Sequence, residues 1–257
     1  MGIIGGQIGY RLLRLVAPRD KSSSSDTVKE IKVCSDTKLS TFFGDDFFDL
    51  IKDKVIIDFG CGAGSQSIEM AQKGAKKVIG VDIQEHLLEY ATQHAEYMGL
   101  AECCVFAKHT DELADVIISK DAFEHFTDPA AILKLMSRLL KPDGYVLASF
   151  GPTWLHPYGG HLFSVFPWSH LIFTENAQIM WRSDFKTDGA TKFSEVAGGL
   201  NQITIAKFEN IVATSPFEIE WLEPVPIRGI SIFRNKLLRE LGSSIVRCKL
   251  KLKSGHA

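Results

Sequence analysis

Residues 55–65 read Val-Ile-Ile-Asp-Phe-Gly-Cys-Gly-Ala-Gly-Ser, and this stretch constrains the chain more tightly than any other. The first five residues are apolar and β-branched enough for a buried strand. Gly60, Gly62 and Gly64 then require a tight bend with little side-chain bulk, and a helix is predicted over 65–73. A strand that turns through glycines into a helix leaves backbone amides at the helix start, where a ligand can approach closely.

Downstream, strand-length apolar runs alternate with helical periods. Strands are predicted over 77–81, 102–106, 115–119 and 145–150, and helices over 86–98 and 130–140. Asp128-Pro129 supplies an N-cap and an N1 proline for the second of these helices, and Lys141-Pro142-Asp143-Gly144 is a turn. Apolar strands interleaved with helices imply an α/β architecture, a doubly wound parallel sheet covered on both faces. Residues 151–200 break that rhythm with Gly, Pro, His and Trp, and are read as a substrate-side insert or lid, with Gly198-Gly199 as a hinge candidate. A helix over 201–214, a strand over 217–222, a helix over 233–241 and a strand over 244–252 close the chain. Residues 1–25 are expected to be an appendage, a short amphipathic helix followed by a linker of serines 22–25. Residues 26–257 are expected to form one domain.

Charge narrows the partners. Acidic and basic residues number 31 and 29, so the chain as a whole has no electrostatic footprint for nucleic acid. Five cysteines without a C-x-x-C pair suit a reduced, cytoplasmic protein better than a zinc site or a disulfide framework. No apolar run is long enough to span a bilayer. Basic residues collect at both termini: Arg11, Arg14 and Arg19, then Arg228 to Lys253. The last lysines, Lys249, Lys251 and Lys253, fit the solvent face of an edge strand, and the alternative is weak contact with an anionic membrane surface.

Two ligands compete for the glycine bend. A dinucleotide fingerprint has the spacing G-x-G-x-x-G, whereas here the third glycine falls one place early. Asp58 precedes the bend, where a carboxylate suits an ammonium rather than a pyrophosphate. Asp82 ends the second strand, where a carboxylate can accept from ribose hydroxyls. An adenosine carrying an amino-acid tail satisfies all three features.

At this point the chain resembles the class I S-adenosylmethionine-dependent methyltransferases. The text that carries the resemblance is VIIDFGCGAGS, VIGVDI, ADVIISKDAFEHFTDP and LLKPDGYVLASF, in the family's order, over roughly residues 45–150. It implies a Rossmann-like, mostly parallel seven-stranded sheet and S-adenosyl-L-methionine as cofactor. By position it implies Asp58 near the methionine ammonium, with Gly60, Cys61 and Gly62 lining methionine and ribose. Asp82 would meet the ribose hydroxyls, Ile83 would pack on the adenine, and Ser119 and Lys120 would flank the methionine end. The family's Asp-Leu-Pro after strand three is absent, and Lys108, His109 or Thr110 stands there instead.

Methyl transfer to a hydroxyl needs alignment, exclusion of water and removal of a proton, and histidine suits the last task near neutral pH. The candidates for general base are His125, then His161, then His170, each with a structural role as the alternative. Glu124 either orients a neighbour or caps a turn. His156, His161 and Asp184 lack any spacing diagnostic of a metal, so no metal is expected. Trp154, Phe163, Phe166, Trp168 and Trp181 either wall an acceptor pocket or form the insert's own core. The leading expectation is O-methylation of a small-molecule or glycan- or lipid-linked acceptor. Alternatives are N- or C-methylation, a nicotinamide-dependent oxidoreductase and a non-catalytic cofactor-binding partner. Oligomeric state is left open.

Overall fold

The computed structural model describes residues 2–19, 38–196 and 199–254; the expected boundary at 25/26, the serines 22–25 and Gly198 lie outside them. In chain order the helices are α1 (Gly6–Val16), α2 (Leu39–Phe43), α3 (Phe47–Ile51), α4 (Ser65–Gln72), α5 (Glu85–Tyr97), α6 (Pro129–Leu139), α7 (Ser169–Ile172), α8 (Glu175–Arg182), α9 (Ile205–Thr214) and α10 (Arg239–Gly242). The strands are β1 (Val55–Phe59), β2 (Lys77–Val81), β3 (Cys104–Ala107), β4 (Ala114–Lys120), β5 (Leu140–Phe150), β6 (Phe217–Pro226) and β7 (Ser243–Leu252).

These strands form one seven-stranded sheet in the order β3-β2-β1-β4-β5-β7-β6. The first five strands run parallel, and β7 enters antiparallel between β5 and β6. Alternation along β1 sends Ile56 to one face and Ile57 to the other, and both are fully buried, as a sheet covered on two sides demands. On one face Phe123, Phe150 and Phe208 interlock under α6 and α9, with the last two ring centroids 4.7 Å apart. On the other face Phe43, Phe47, Ile68 and Met70 bring α2, α3 and α4 onto the sheet. Strand order reverses between β1 and β4, which opens a crevice beyond their carboxyl ends.

Asp128 caps α6 as expected, accepting from the amides of Ala130 and Ala131 at 3.0 Å each. Two expectations at the C-terminus are corrected. The helix over 233–241 is instead a 3-10 turn at Ser231–Arg234 and the four-residue α10. The Asn235 side chain accepts from the Leu237 amide at 2.9 Å, a local bond that competes with helix propagation. The basic strand is not an edge: β7 is paired on both sides. Its inner face, Val246, Cys248 and Leu250, is fully buried. Its outer lysines Lys249 and Lys251 reach Glu220 at 3.2 and 2.6 Å, and Lys253 donates to the carbonyls of Ala213 and Ser215. Those charges serve the sheet rather than forming a free patch.

The insert builds a third cluster. Trp154, Phe163, Phe173, Trp181 and Phe193 pack together, and α1 joins them through fully buried Leu13. Ile4 pairs with Phe173 as an isolated bridge, and the Trp181 indole donates to the Ala17 carbonyl at 2.9 Å. A Cβ on Gly9 would lie 2.9 Å from that of Ala177, so glycine sets how closely α1 meets α8. Residues 2–19 therefore pack against the insert. Among the described residues no helix is long and apolar enough to cross a membrane.

Candidate active site

The glycine bend sits at the crevice between β1 and β4. Gly60, Gly62 and Gly64 all have positive φ, at 85, 51 and 77°. Their surroundings differ. A Cβ on Gly64 would be 2.6 Å from the Phe106 ring, so that glycine is required by packing. A Cβ on Gly62 would meet nothing within 4 Å, so this glycine faces open space in which a ligand can lie against the backbone.

Two carboxylates flank that space in different environments. Asp82 lies at the mouth: its Oδ2 accepts from the Gly62 amide and its Oδ1 from the Gln84 amide, each at 2.9 Å. Asp58 is buried, and its Oδ2 accepts from the Ser67 hydroxyl at 2.6 Å. Burial raises the Asp58 carboxyl to about 6, against the opposing pull of the Ser67 hydrogen bond and Lys120. A buried carboxylate held this high gains from a cation beside it. The Ser119 hydroxyl, at the end of β4, is buried without a protein partner. Lys120 pairs with Asp121 at 2.6 Å and lies 4.3 Å from the Phe42 ring centroid. An open cradle at Gly62, two carboxylates and an unpartnered hydroxyl fit a ligand that carries an ammonium and a sugar.

Ile83 is 88% exposed beside the bend, free to cover a flat ring. A cavity of about 540 Å³ runs between α5 and the segment after β3, lined by Leu88, Thr92, Phe106, Lys108 and His109. Lys108 closes one side of it by pairing with Glu85 at 3.1 Å. Cys61 is buried, and desolvation raises its thiol strongly, which suits packing and not nucleophilic chemistry.

The histidines separate clearly. Nδ1 of His125 bonds the Gly199 carbonyl at 2.9 Å, so the proton resides on Nδ1 and the Nε2 lone pair is left as an acceptor. His161 lies against it, with ring centroids 5.5 Å apart. Its backbone is left-handed (φ 51°), its Nε2 is buried without a partner, and burial lowers its pKa to about 4. His170 is corrected from base to structural residue. Its Nε2 meets the Trp154 carbonyl at 2.7 Å and its Nδ1 the Ser164 hydroxyl at 3.0 Å, so neither nitrogen is left to take a proton. The Asp184 carboxylate is bound by Tyr10 at 3.0 Å and Arg14 at 3.3 Å.

Two further polar residues hold the loop after β4. Glu124 is buried, and one carboxyl oxygen accepts from the Gly151 amide at 3.0 Å while the other has no partner. Burial first, with Asp121 adding to it, raises its pKa to about 7. Asn201 donates to the carbonyls of Phe123 and Phe126 at 2.6 and 2.8 Å, clamping the loop that carries Glu124 and His125 onto the end of the insert. The pairing of acid and histidine after a strand was a visible signal for the first, whereas nothing local marks Asn201. A second cavity, of about 510 Å³, opens beside His125 and is lined by Phe126, Thr127, Lys192, Asn201 and Lys207. Of the aromatic residues, Trp154, Phe163 and Trp181 are core of the insert, while Trp168 is partly exposed.

The sheet order and the glycine crevice are those of the Rossmann-like fold that S-adenosylmethionine-dependent methyltransferases share. Residues 50–156 match the family described as methyltransferase domain. Over 106 residues the chain is 36% identical to ubiquinone biosynthesis O-methyltransferase of Neisseria meningitidis serogroup C, covering 38% of this chain and 44% of that protein. Over 110 residues it is 32% identical to phosphoethanolamine N-methyltransferase 3 of Arabidopsis thaliana, covering 40% of this chain and 22% of that one. The chain thus spans less than half the length of these curated relatives. Among solved structures, mitomycin 7-O-methyltransferase matches with a TM-score of 0.55 at 14% identity, over 86% of this chain and 54% of that one. An S-adenosylmethionine-dependent methyltransferase from Mesorhizobium loti matches at 0.50 and 18% identity, over 78% and 91%. At such identities the structural likeness speaks for the fold.

Proposed function

We propose that this chain is an S-adenosylmethionine-dependent methyltransferase that methylates a hydroxyl of a small molecule. The observation that carries the reading is the arrangement around Gly62, where an open backbone cradle lies between the buried Asp58 carboxylate and the Asp82 carboxylate. When bound, S-adenosylmethionine supplies a methyl group activated by its sulfonium. Asp58 would balance the ammonium of the ligand, Asp82 would accept from its ribose, the Ser119 hydroxyl would serve its amino-acid end, and Ile83 would cover its adenine. Glu124 and Asn201 hold the post-β4 loop in place. His125, fixed through Nδ1, accepts a proton from the acceptor hydroxyl at Nε2. The insert roofs the site and excludes water.

A second reading, N-methylation of a small amine, draws on the likeness of the same segment to an N-methyltransferase. An amine acceptor that is already unprotonated does not need His125. The experiment is calorimetric titration with S-adenosylmethionine, its demethylated product and reduced nicotinamide dinucleotide. It is followed by transfer of labelled methyl to panels of phenols, alcohols and amines. Binding of the first two ligands and label in hydroxyl compounds is the expected result. Binding of the nicotinamide cofactor alone would overturn the reading, and label confined to amines would favour the second.

A further inference from the structure

Helix α1 buries one flank and leaves the other uncovered. Its inner side is Gly9 and Leu13, seated on α8 and the insert cluster. Ile8, Leu12, Leu15 and Val16 recur at steps of four, three and one, which at about 100° per residue gathers them into a single stripe. They are 71, 39, 78 and 56% exposed. Lone exposed aliphatics are ordinary, but four in one stripe on an 11-residue helix are a patch.

The charges around the stripe have one sign. Residues 2–19 contain three arginines and no Asp or Glu. Arg11 borders the stripe between Ile8 and Leu15, and among the described residues it makes no ion pair. Arg19 lies 5.4 Å from the Phe185 ring centroid. The carboxylate of Asp184 is already neutralised by Arg14 and hydrogen-bonded by Tyr10. An apolar stripe of plain aliphatic side chains, edged by guanidinium and free of acids, matches a surface that is apolar beneath and anionic on top. A protein groove can also seat an apolar helix face, so it is the one-sign charge edging the stripe that favours an anionic surface.

We propose that α1 docks in the plane of an anionic lipid bilayer. Ile8, Leu12, Leu15 and Val16 enter the interface, and Arg11 faces the lipid phosphates. Because α1 is tied to the insert through Leu13, the Ile4–Phe173 bridge and Trp181, docking holds the insert against the bilayer. One short helix gives reversible attachment. The inference stands on α1 alone and does not depend on the methyltransferase reading.

The test is sedimentation of the full chain with vesicles of phosphatidylcholine alone and of phosphatidylcholine mixed with phosphatidylglycerol. Binding is expected to the mixed vesicles and to weaken with added salt. The Ile8→Asp/Leu15→Asp variant is expected to lower that binding by about tenfold or more, since each change places a charge where an aliphatic group was inserted. Arg11→Glu is expected to remove the preference for anionic vesicles. Should the aspartate variant fail to fold by circular dichroism, Ile8→Ser/Leu15→Ser is the substitute, with loss again expected. Failure of the unmodified chain to sediment with mixed vesicles, or equal binding by the stripe variants, would overturn the proposal. So would a lipid-free dimer that the same variants dissolve, because the stripe would then belong to a second copy.

Discussion

The Ser67 hydroxyl lies 2.6 Å from Oδ2 of Asp58, and both side chains are buried. Ser67 thus donates to a carboxylate that sits beneath an open cradle. The Asp58 carboxyl is raised from the ordinary 3.8 to about 6 in the folded chain, because burial outweighs that donor. Between those values the folded state binds more protons than the unfolded one, so stability conferred by the neutral acid is lost as pH rises through about 6. A ligand ammonium acts in the opposite sense and favours the carboxylate. Binding of S-adenosylmethionine near pH 6 is therefore expected to release a proton. Calorimetry in two buffers of different ionisation enthalpy measures it, and Asp58→Asn is expected to abolish the difference. Proton uptake on binding by the unmodified chain would contradict the assignment of Asp58.

Asp82 holds the bend from the other side through the amides of Gly62 and Gln84. Asp82→Ala leaves both donors without a partner at a partly solvated site, a cost of about 1–2 kcal/mol measurable by urea unfolding. The loss of cofactor affinity is expected to be larger, at least tenfold by calorimetry, because the ribose loses its acceptor as well. Asp82→Asn keeps one acceptor oxygen and is expected to fall between. Equal affinity in all three proteins would remove Asp82 from the site.

The central sheet was legible because its strands are short apolar runs bounded by glycine, aspartate and proline. Ile56 and Ile57 both need burial, so a sheet covered on two faces was readable from β1 alone. The glycine bend was legible for the same local reason. The place of β7 was not. Lysines at alternate positions look like an exposed edge until Glu220 of β6 pairs with Lys249 and Lys251, and Glu223 with Arg247, and that pairing is a property of strand order. The insert was opaque as well. Whether His170 is a base or a brace depends on the carbonyl of Trp154, a residue distant in sequence. The clamp by Asn201 joins two loops that no local pattern connects.

His170 supplies its own test as a brace. His170→Ala leaves the Trp154 carbonyl and the Ser164 hydroxyl without their partner in a buried cluster and opens space beside the Trp154 ring. The expected loss is about 2–4 kcal/mol of stability. At a temperature where the variant remains folded, its affinity for S-adenosylmethionine is expected to match that of the unmodified chain. A selective loss of turnover without destabilisation would restore His170 to the chemistry.

Glu124 makes a pH prediction. Burial above all raises its carboxyl from the ordinary 4.5 to about 7 in the folded chain. The folded chain therefore favours the protonated form, and this group's contribution to stability declines as pH rises from about 4.5 through about 7. Glu124→Gln removes that titration while keeping an acceptor for the Gly151 amide. Relative to the unmodified chain, the variant is expected to gain stability as pH is raised across that interval, read from denaturant midpoints at several pH values. A constant difference at every pH would mean that Glu124 does not titrate as its burial implies.

His125 and His161 meet edge to face and differ in what each could do. His125 is locked by the Gly199 carbonyl with Nε2 left as an acceptor. His161 stays neutral because burial drives its pKa to about 4, which makes it a poor proton acceptor near pH 7 and a good wall for the His125 ring. His125→Ala is therefore expected to cut turnover with a hydroxyl acceptor by about a hundredfold or more, with cofactor affinity little changed. His161→Ala is expected to cost less turnover and more stability. His161→Gln retains a side chain beside the ring and is expected to recover part of both losses. Comparing kcat with cofactor affinity in each variant separates the roles. If His161→Ala lost turnover as severely as His125→Ala while its fold and cofactor affinity stayed intact, the order would be reversed. The proton would then pass to the buried Nε2 of His161, and the low pKa imposed by its surroundings would have to rise when the acceptor is in place.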